Sequence, residues 1–314
     1  MKNRIVLGID TSNYTTSLSL MREDGALIAN LKRPLPVRAG ECGLRQSDAV
    51  FAHIKNIPDI MREARSLIDS SQILAVGVSE RPRNVDGSYM PCFLSGVSVA
   101  EGIAAALGVP LFKYSHQCGH IMAAIYSSGR FDLLSGEEFC AFHISGGTTE
   151  MLRVKYSENA FLTELIGGTL DLNAGQLIDR VGVYMGLPFP AGIHMEKAAL
   201  LNSSKTPSRK PKISDLKINL SGIENLAKKM YDEIGNKELT ASFVLNHIAD
   251  SLIMLCEDYE DRFGKSSFVF AGGVMSNSII KEKIQSKFSA SFAKPEMSAD
   301  NAVGIARLTL ENIR

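Results

Sequence analysis

Apolar runs of strand length recur along this chain, and one arrangement of them occurs twice. Arg4 to Asp10 reads as a buried strand that ends in the small polar cluster Thr11-Ser12-Asn13. Thr16 to Met21 reads as a second strand, Glu23-Asp24-Gly25 as a turn, and Ala26 to Ala29 as a third strand. Past the middle, Phe139 to Ile144 ends in Ser145-Gly146-Gly147-Thr148-Thr149 and continues into a strand from Glu150 to Val154. The repetition predicts two similar halves. Each small-residue turn exposes backbone N–H groups and is a candidate phosphate clamp, with Gly146 and Gly147 leaving no side chain in the way.

Helical spacing follows the first three strands over Asp48 to Ile68, with a break expected near Pro58. Ile73 to Val78 reads as a buried strand. Gly96 to Leu107, small and apolar on most faces, reads as a helix buried between layers and ended by Gly108 and Pro110. Val109 to Tyr114 is a short strand leading into the next helix. Later helices are expected over Ala174 to Met185, Met195 to Leu201 and Leu239 to Phe263. A strand from Ser267 to Ala271 runs into Gly272-Gly273-Val274, a helix begins near Asn277, and a terminal helix covers Asn301 to Ile313. Alternating strands and helices indicate α/β layering with ligands at the strand ends.

With 314 residues and 45% hydrophobic content, two cores are within reach without staples. No apolar run approaches the roughly 18 residues of a bilayer span, and no charged-then-apolar leader precedes the first strand, so a cytoplasmic location is expected. Five scattered cysteines, Cys42, Cys92, Cys118, Cys140 and Cys256, form no Cys-x-x-Cys pair, which argues for buried reduced thiols rather than disulfides or a thiolate zinc site. Lys plus Arg and Asp plus Glu balance at 34 each, so any RNA contact is local or shared with a partner. The candidate for it is Ser203 to Lys212, a basic loop that serves equally well as a solvated surface.

His116 and His120 stand four residues apart, on one side of one helix, where they can share a metal. A zinc protease of the His-Glu type places its general base directly after the first His, and here that position is Gln117, whose amide takes no proton. The peptidase reading therefore ranks last. Asp300 is a third ligand by type, or a plain helix N-cap. Gly272, Gly273 and Asn277, after a strand and at a helix start, let backbone lie flat against a nucleoside, or form an ordinary turn. Asp171 and Asp179 flank Asn173-Ala174-Gly175, where Gly175 permits a close helix approach and the carboxylates suit ribose hydroxyls or caps.

Taken in order, Asp10-Thr11-Ser12, His116-x-x-x-His120, Ser145-Gly146-Gly147-x-Thr149, Thr169-Leu170-Asp171-x-x-Ala174-Gly175-x-x-x-Asp179, Leu187-Pro188-x-Pro190-x-Gly192, Ser221-Gly222, Gly272-Gly273-Val274-x-x-Asn277 and Asp300-Asn301 resemble the TsaD/Gcp family, formerly called O-sialoglycoprotein endopeptidase. The resemblance spans nearly the whole chain. It implies an α/β fold of the actin-like, sugar-kinase-like ATPase type, two ribonuclease-H-like lobes around a nucleotide cleft. The expected lobes are residues 1–112 with 298–314, and residues 113–297 with helical insertions. It implies transfer of a threonylcarbamoyl group from threonylcarbamoyl-adenylate to N6 of adenosine in tRNA, with other subunits of that machinery as partners. His116, His120 and Asp300 would hold one divalent metal, iron or zinc. His143, Ile144, Ser145, Gly146 and Gly147 would line the adenylate phosphate and acyl group. Asp10, Ser12, Asp171, Asp179, Gly192, Glu196, Gly272, Gly273 and Asn277 complete the set expected to bind ATP, AMP or the acyl-adenylate.

The chain departs from the family pattern at Tyr14 and Thr15, Glu80 to Gly87, Thr148, Leu172 and Gln176, where the family has acidic residues, glycines or a histidine. These changes point to a divergent paralogue. They keep open a catalytically weak nucleotide-binding accessory subunit, and a small-molecule transferase using Arg81 and Arg83 for an anionic acceptor.

Overall fold

The computed structural model describes residues 4–12, 14–36 and 44–314. The strands are β1 (Ile5–Ser12), β2 (Thr15–Arg22), β3 (Leu27–Pro34), β4 (Ile73–Arg81), β5 (Leu111–Ser115), β6 (Glu138–Ile144), β7 (Thr149–Ser157), β8 (Ala160–Thr169), β9 (Ile213–Ser214), β10 (Lys217–Ile218), β11 (Phe268–Ala271) and β12 (Ala290–Phe292). The helices are α1 (Gln46–Leu67), α2 (Phe93–Leu107), α3 (His116–Ser128), α4 (Ala174–Tyr184), α5 (Gly192–Leu200), α6 (Ser221–Ile234), α7 (Lys237–Phe263), α8 (Ser278–Gln285), α9 (Pro295–Ser298) and α10 (Val303–Asn312).

Two sheets carry the chain, and their strand orders match. The first runs β3-β2-β1-β4-β5, with β1 and β2 antiparallel and β4 and β5 parallel to β1. The second contains β8-β7-β6-β11-β12, with β6 and β7 antiparallel and β11 and β12 parallel to β6, and adds β10 and β9 at its edge. The duplicated strand-turn-strand unit therefore opens two sheets of one topology.

The chain divides into a first unit of Met1–Leu134, Tyr156–Leu162 and Glu296–Arg314, and a second of Ser135–Lys155 and Thr163–Pro295. The expected boundary at residue 112 is thus displaced, because α3 packs on α10 and β4 and stays with the first sheet. All eight residues of β1 are buried. Ile5, Leu7 and Ile9 share a core with Ile60 of α1 and Ala100 of α2, whereas Val6 shares one with Val303, Ala306 and Leu310 of α10. Strand alternation sends successive side chains to opposite helical layers.

Several local expectations change. Pro58 lies inside α1 without ending it, because His53 and Ile60 on either side are buried in the same face. Helix α2 buries one face only: Leu94, Glu101 and Leu107 are exposed. Strands β8 and β12 and helix α6 were not foreseen. Helix α7 is long and apolar enough to cross a membrane by length and composition, but 83% of that stretch is buried inside the protein. Cys92, Cys118, Cys140 and Cys256 are free and buried, as expected; Cys42 lies outside the described residues.

Candidate functional site

The first unit gathers its polar groups through strand alternation and one helix crossing. On β1, Val6, Gly8 and Asp10 face the layer that holds α10; a Cβ on Gly8 would meet the Ala302 carbonyl oxygen at 2.7 Å. On β4, Ala75, Gly77 and Ser79 face the same layer. Asp10 and Ser79 are wholly buried there, joined by a short hydrogen bond from the Ser79 hydroxyl to Asp10 Oδ1, and the Ser12 hydroxyl donates to Oδ2 at 2.6 Å.

Helix α3 opens at the end of β5, with the Ser115 hydroxyl accepting from the Cys118 N–H at 3.2 Å. His116 and His120 then share a face, their Nε2 atoms 3.0 Å apart, and each Nε2 lies 3.6 Å from Asp300 Oδ1. Asp300 is not the N-cap it resembles: Asn301 Oδ1 accepts from the Val303 N–H at 3.0 Å and leaves the Asp300 carboxylate to the histidines. The point equidistant from the three ligand atoms lies about 2.0 Å from each, inside the range of about 2.0–2.2 Å for zinc bonds to imidazole and carboxylate. Two nitrogens and a carboxylate oxygen suit iron or zinc. The three residues are the metal-capable group among the described residues.

Charge is concentrated here. Burial opposes the imidazolium of His116, but the Asp10 carboxylate and its hydrogen bond, with Asp300, outweigh burial and raise the pKa to about 10. Burial and the neighbouring His116 charge hold His120 below its ordinary value. Burial works against ionisation of Asp10 and Asp300 too, yet His116 with the Ser12 hydroxyl holds Asp10, and both histidines hold Asp300, below the usual carboxyl range. Two buried carboxylates facing two imidazoles make an electronegative centre suited to a cation.

The second unit presents a separate set of groups. The turn after β6 closes with the Ser145 N–H donating to the Thr148 carbonyl at 2.8 Å, and Gly146 and Gly147 are exposed with open space where a Cβ would stand. Behind it α4 approaches as the sequence implied: a Cβ on Gly175 would meet Ser145 O at 2.5 Å and Gly146 Cα at 2.6 Å. Asp179 accepts the Ala191 N–H at 2.7 Å through one oxygen, and burial raises its pKa. Glu196 accepts the Ser278 N–H at 2.7 Å and its hydroxyl at 2.6 Å, while Asn277 Oδ1 accepts the Ile280 N–H at 3.1 Å, so both hold the start of α8. Gly272, at φ +98°, abuts the Ile144 carbonyl, whereas Gly273 and Gly192 face open space.

Four of the residues expected as ligands have partners or packing of their own. Ile144 is fully buried in the hydrophobic core, while alternation sends His143 to the opposite face of β6. Asp171 receives the N–H groups of Leu220 at 2.8 Å and Ser221 at 3.3 Å, and the Ser221 hydroxyl at 2.5 Å, which makes it the cap of α6. Asp10 and Ser12 belong to the histidine cluster. Of the first expected turn, Thr11 and Ser12 are instead buried in β1, and the Thr11 hydroxyl donates to the Cys92 carbonyl at 3.1 Å; Asn13 lies outside the described residues. Ser79 was missed, although its place at the end of a buried strand is the signal that finds it.

Two departures from the family pattern have structural work of their own. Leu172 is buried in the core, and Gln176 accepts the Asn173 N–H at 3.2 Å to complete a capping box at α4.

Comparison with known proteins gives the family and the fold. The family model for TsaD, tRNA N6-adenosine threonylcarbamoyltransferase, matches residues 41–307. Proteins of that name from Streptococcus suis (strain 05ZYH33) and Bacillus licheniformis are each 28% identical, over 90% of this chain and 84% of the relative, and over 97% and 91%, respectively. The one from Neorickettsia sennetsu is 27% identical over 100% of this chain and 95% of its own. Among solved structures, full-length HypF in a phosphate- and nucleotide-bound form superposes with a TM-score of 0.63 at 12% identity over 99% of this chain; this chain spans 47% of HypF. A ROK family glucokinase from Streptomyces griseus gives a TM-score of 0.54 at 12% identity, over 97% of this chain and 99% of the kinase. The fold is therefore the actin-like, sugar-kinase-like ATPase fold, and the chain belongs to the TsaD family.

Proposed function

We propose that this chain is a metal-dependent acyltransferase that moves a threonylcarbamoyl group from threonylcarbamoyl-AMP to N6 of an adenosine in tRNA, or performs a closely related carbamoyl transfer as a divergent paralogue. The observation that carries this reading is the triangle of His116, His120 and Asp300, whose spacing accepts one divalent cation. It stands in a chain whose relatives bear the transferase name.

In the proposed reaction N6 attacks the carbamoyl carbon, the C–N bond forms, the C–O bond to phosphate breaks, and AMP departs with the electron pair as N6 loses a proton. When bound, an iron or zinc ion would supply Lewis-acid charge at the His116, His120 and Asp300 group. His116, His120 and Asp300 would hold the cation. The Gly146 and Thr148 N–H groups of the turn would donate to phosphate oxygens, and Gly273 would let backbone lie against the nucleoside. Asp179 keeps an oxygen for a ribose hydroxyl, while Glu196 and Asn277 fix the start of α8 beside it. Transfer RNA and other threonylcarbamoylation subunits are the proposed partners, and the cytoplasm the proposed location.

The test is nucleoside mass spectrometry of unmodified tRNA incubated with threonylcarbamoyl-AMP and this protein, with and without candidate partner subunits. Modified adenosine formed by the wild type and reduced at least 100-fold in Asp300→Ala supports the proposal. Calorimetric AMP binding without any transfer contradicts it and favours the accessory nucleotide-binding subunit.

A further inference from the structure

We propose that Asp10, held by Ser79 and Ser12, is the positioning residue of the metal centre: it fixes the ring of His116 and the tautomer that turns Nε2 toward the metal. The inference deepens the metal reading above and rests on it. Asp10 Oδ1 lies 3.0 Å from His116 Nδ1, on the far side of the ring from His120 and Asp300. A carboxylate only accepts, so Nδ1 carries the hydrogen of this bond, and in the neutral ring Nε2 is left with its lone pair. That nitrogen is the one 3.0 Å from His120 Nε2 and 3.6 Å from Asp300 Oδ1.

The carboxylate is itself held from several sides. Oδ1 accepts the Ser79 hydroxyl as well as His116, and Oδ2 accepts the Ser12 hydroxyl at 2.6 Å. Asp10, Ser79 and Ser12 are all buried, on strands β1 and β4 whose pairing fixes their separation. The anchor of the metal group is therefore the sheet, while its ligands come from α3 and the segment before α10. A carboxylate behind a ligating imidazole also raises the electron density of the nitrogen that binds metal, and loss of such a partner weakens binding about 10–100-fold.

The experiment titrates Co²⁺ into the full chain and follows its visible bands and its affinity, by competition with a chelator, for the wild type, Asp10→Asn, Ser79→Ala and His116→Ala/His120→Ala. Thermal unfolding of each metal-free variant reports folding separately. Asparagine keeps an oxygen to accept from Nδ1 but removes the charge, so Asp10→Asn is expected to bind about 10–100-fold more weakly with shifted bands. Ser79→Ala, which frees the carboxylate to rotate, is expected to lose less in the same direction. Wild-type affinity and bands in both variants, alongside loss of binding in the double-histidine variant, overturn the role of Asp10 and leave the metal centre standing. A wild type that takes up no Co²⁺ overturns both.

Discussion

Gly304 lies against Gly119 so closely that a Cβ added to it would stand 1.8 Å from the Gly119 carbonyl oxygen. This contact brings α10 onto α3, with Asp300 just ahead of one helix and His116 and His120 in the first turns of the other. The triangle of His116, His120 and Asp300 is thus a product of a helix crossing that only glycine permits.

Gly304→Ala forces backbone against backbone, with no flexible side chain to yield. The expected cost is at least about 2 kcal/mol, read from the urea midpoint, with metal affinity falling alongside because Asp300 moves. Unchanged stability would mean that the crossing is looser than described.

Gly175→Ala places a methyl group 2.5 Å from Ser145 O and pushes α4 away from the Ser145–Thr148 turn. A loss of about 1–3 kcal/mol in stability is expected. Isothermal titration with AMP should show weaker binding, and AMP affinity equal to the wild type would remove the turn from the nucleotide site.

Asp171 separates capping from ligand binding. Asp171→Ala leaves the Leu220 and Ser221 N–H groups without their acceptor and is expected to cost about 1–2 kcal/mol by chemical denaturation. AMP affinity should stay within twofold of the wild type. A large loss of AMP binding with stability intact would return Asp171 to the ribose.

His247 sets a pH dependence in the second unit. Burial holds its imidazole below the ordinary value of 6.5, and its Nδ1–H donates to the Arg209 carbonyl at 3.1 Å. The unfolded ring takes up a proton near 6.5 and the folded ring only at lower pH, so across that interval the unfolded chain binds more protons and stability rises with pH. Acidification from about pH 7 to about pH 5.5 should therefore lower the urea midpoint, and His247→Gln should lose part of that decline. An identical decline in the variant would exclude His247 as its source.

Some of this was legible in the sequence and some was not, for physical reasons. The histidine pair was legible because four-residue spacing on one helix is local geometry. The duplication was legible because β1–β2 and β6–β7 are each contiguous antiparallel strand pairs. Asp300 was recognisable by type alone, since the Gly119–Gly304 contact that brings it to the histidines is tertiary. Asp10 was read toward the nucleotide because nothing local says which layer a buried strand residue faces. Strand β8 escaped because Leu162 and Leu165 are exposed and blur its alternation. Helix α6 carries Ile223, Leu226, Ala227 and Met230 at helical spacing and was open to recognition.

Metal content per chain after anaerobic purification, for the wild type and His116→Ala/His120→Ala, tests the metal centre without any substrate or partner. One iron or zinc ion per wild-type chain, lost in the variant, is the expected result. A metal-free wild type, or equal metal in both proteins, would contradict the assignment of His116, His120 and Asp300 as a metal centre.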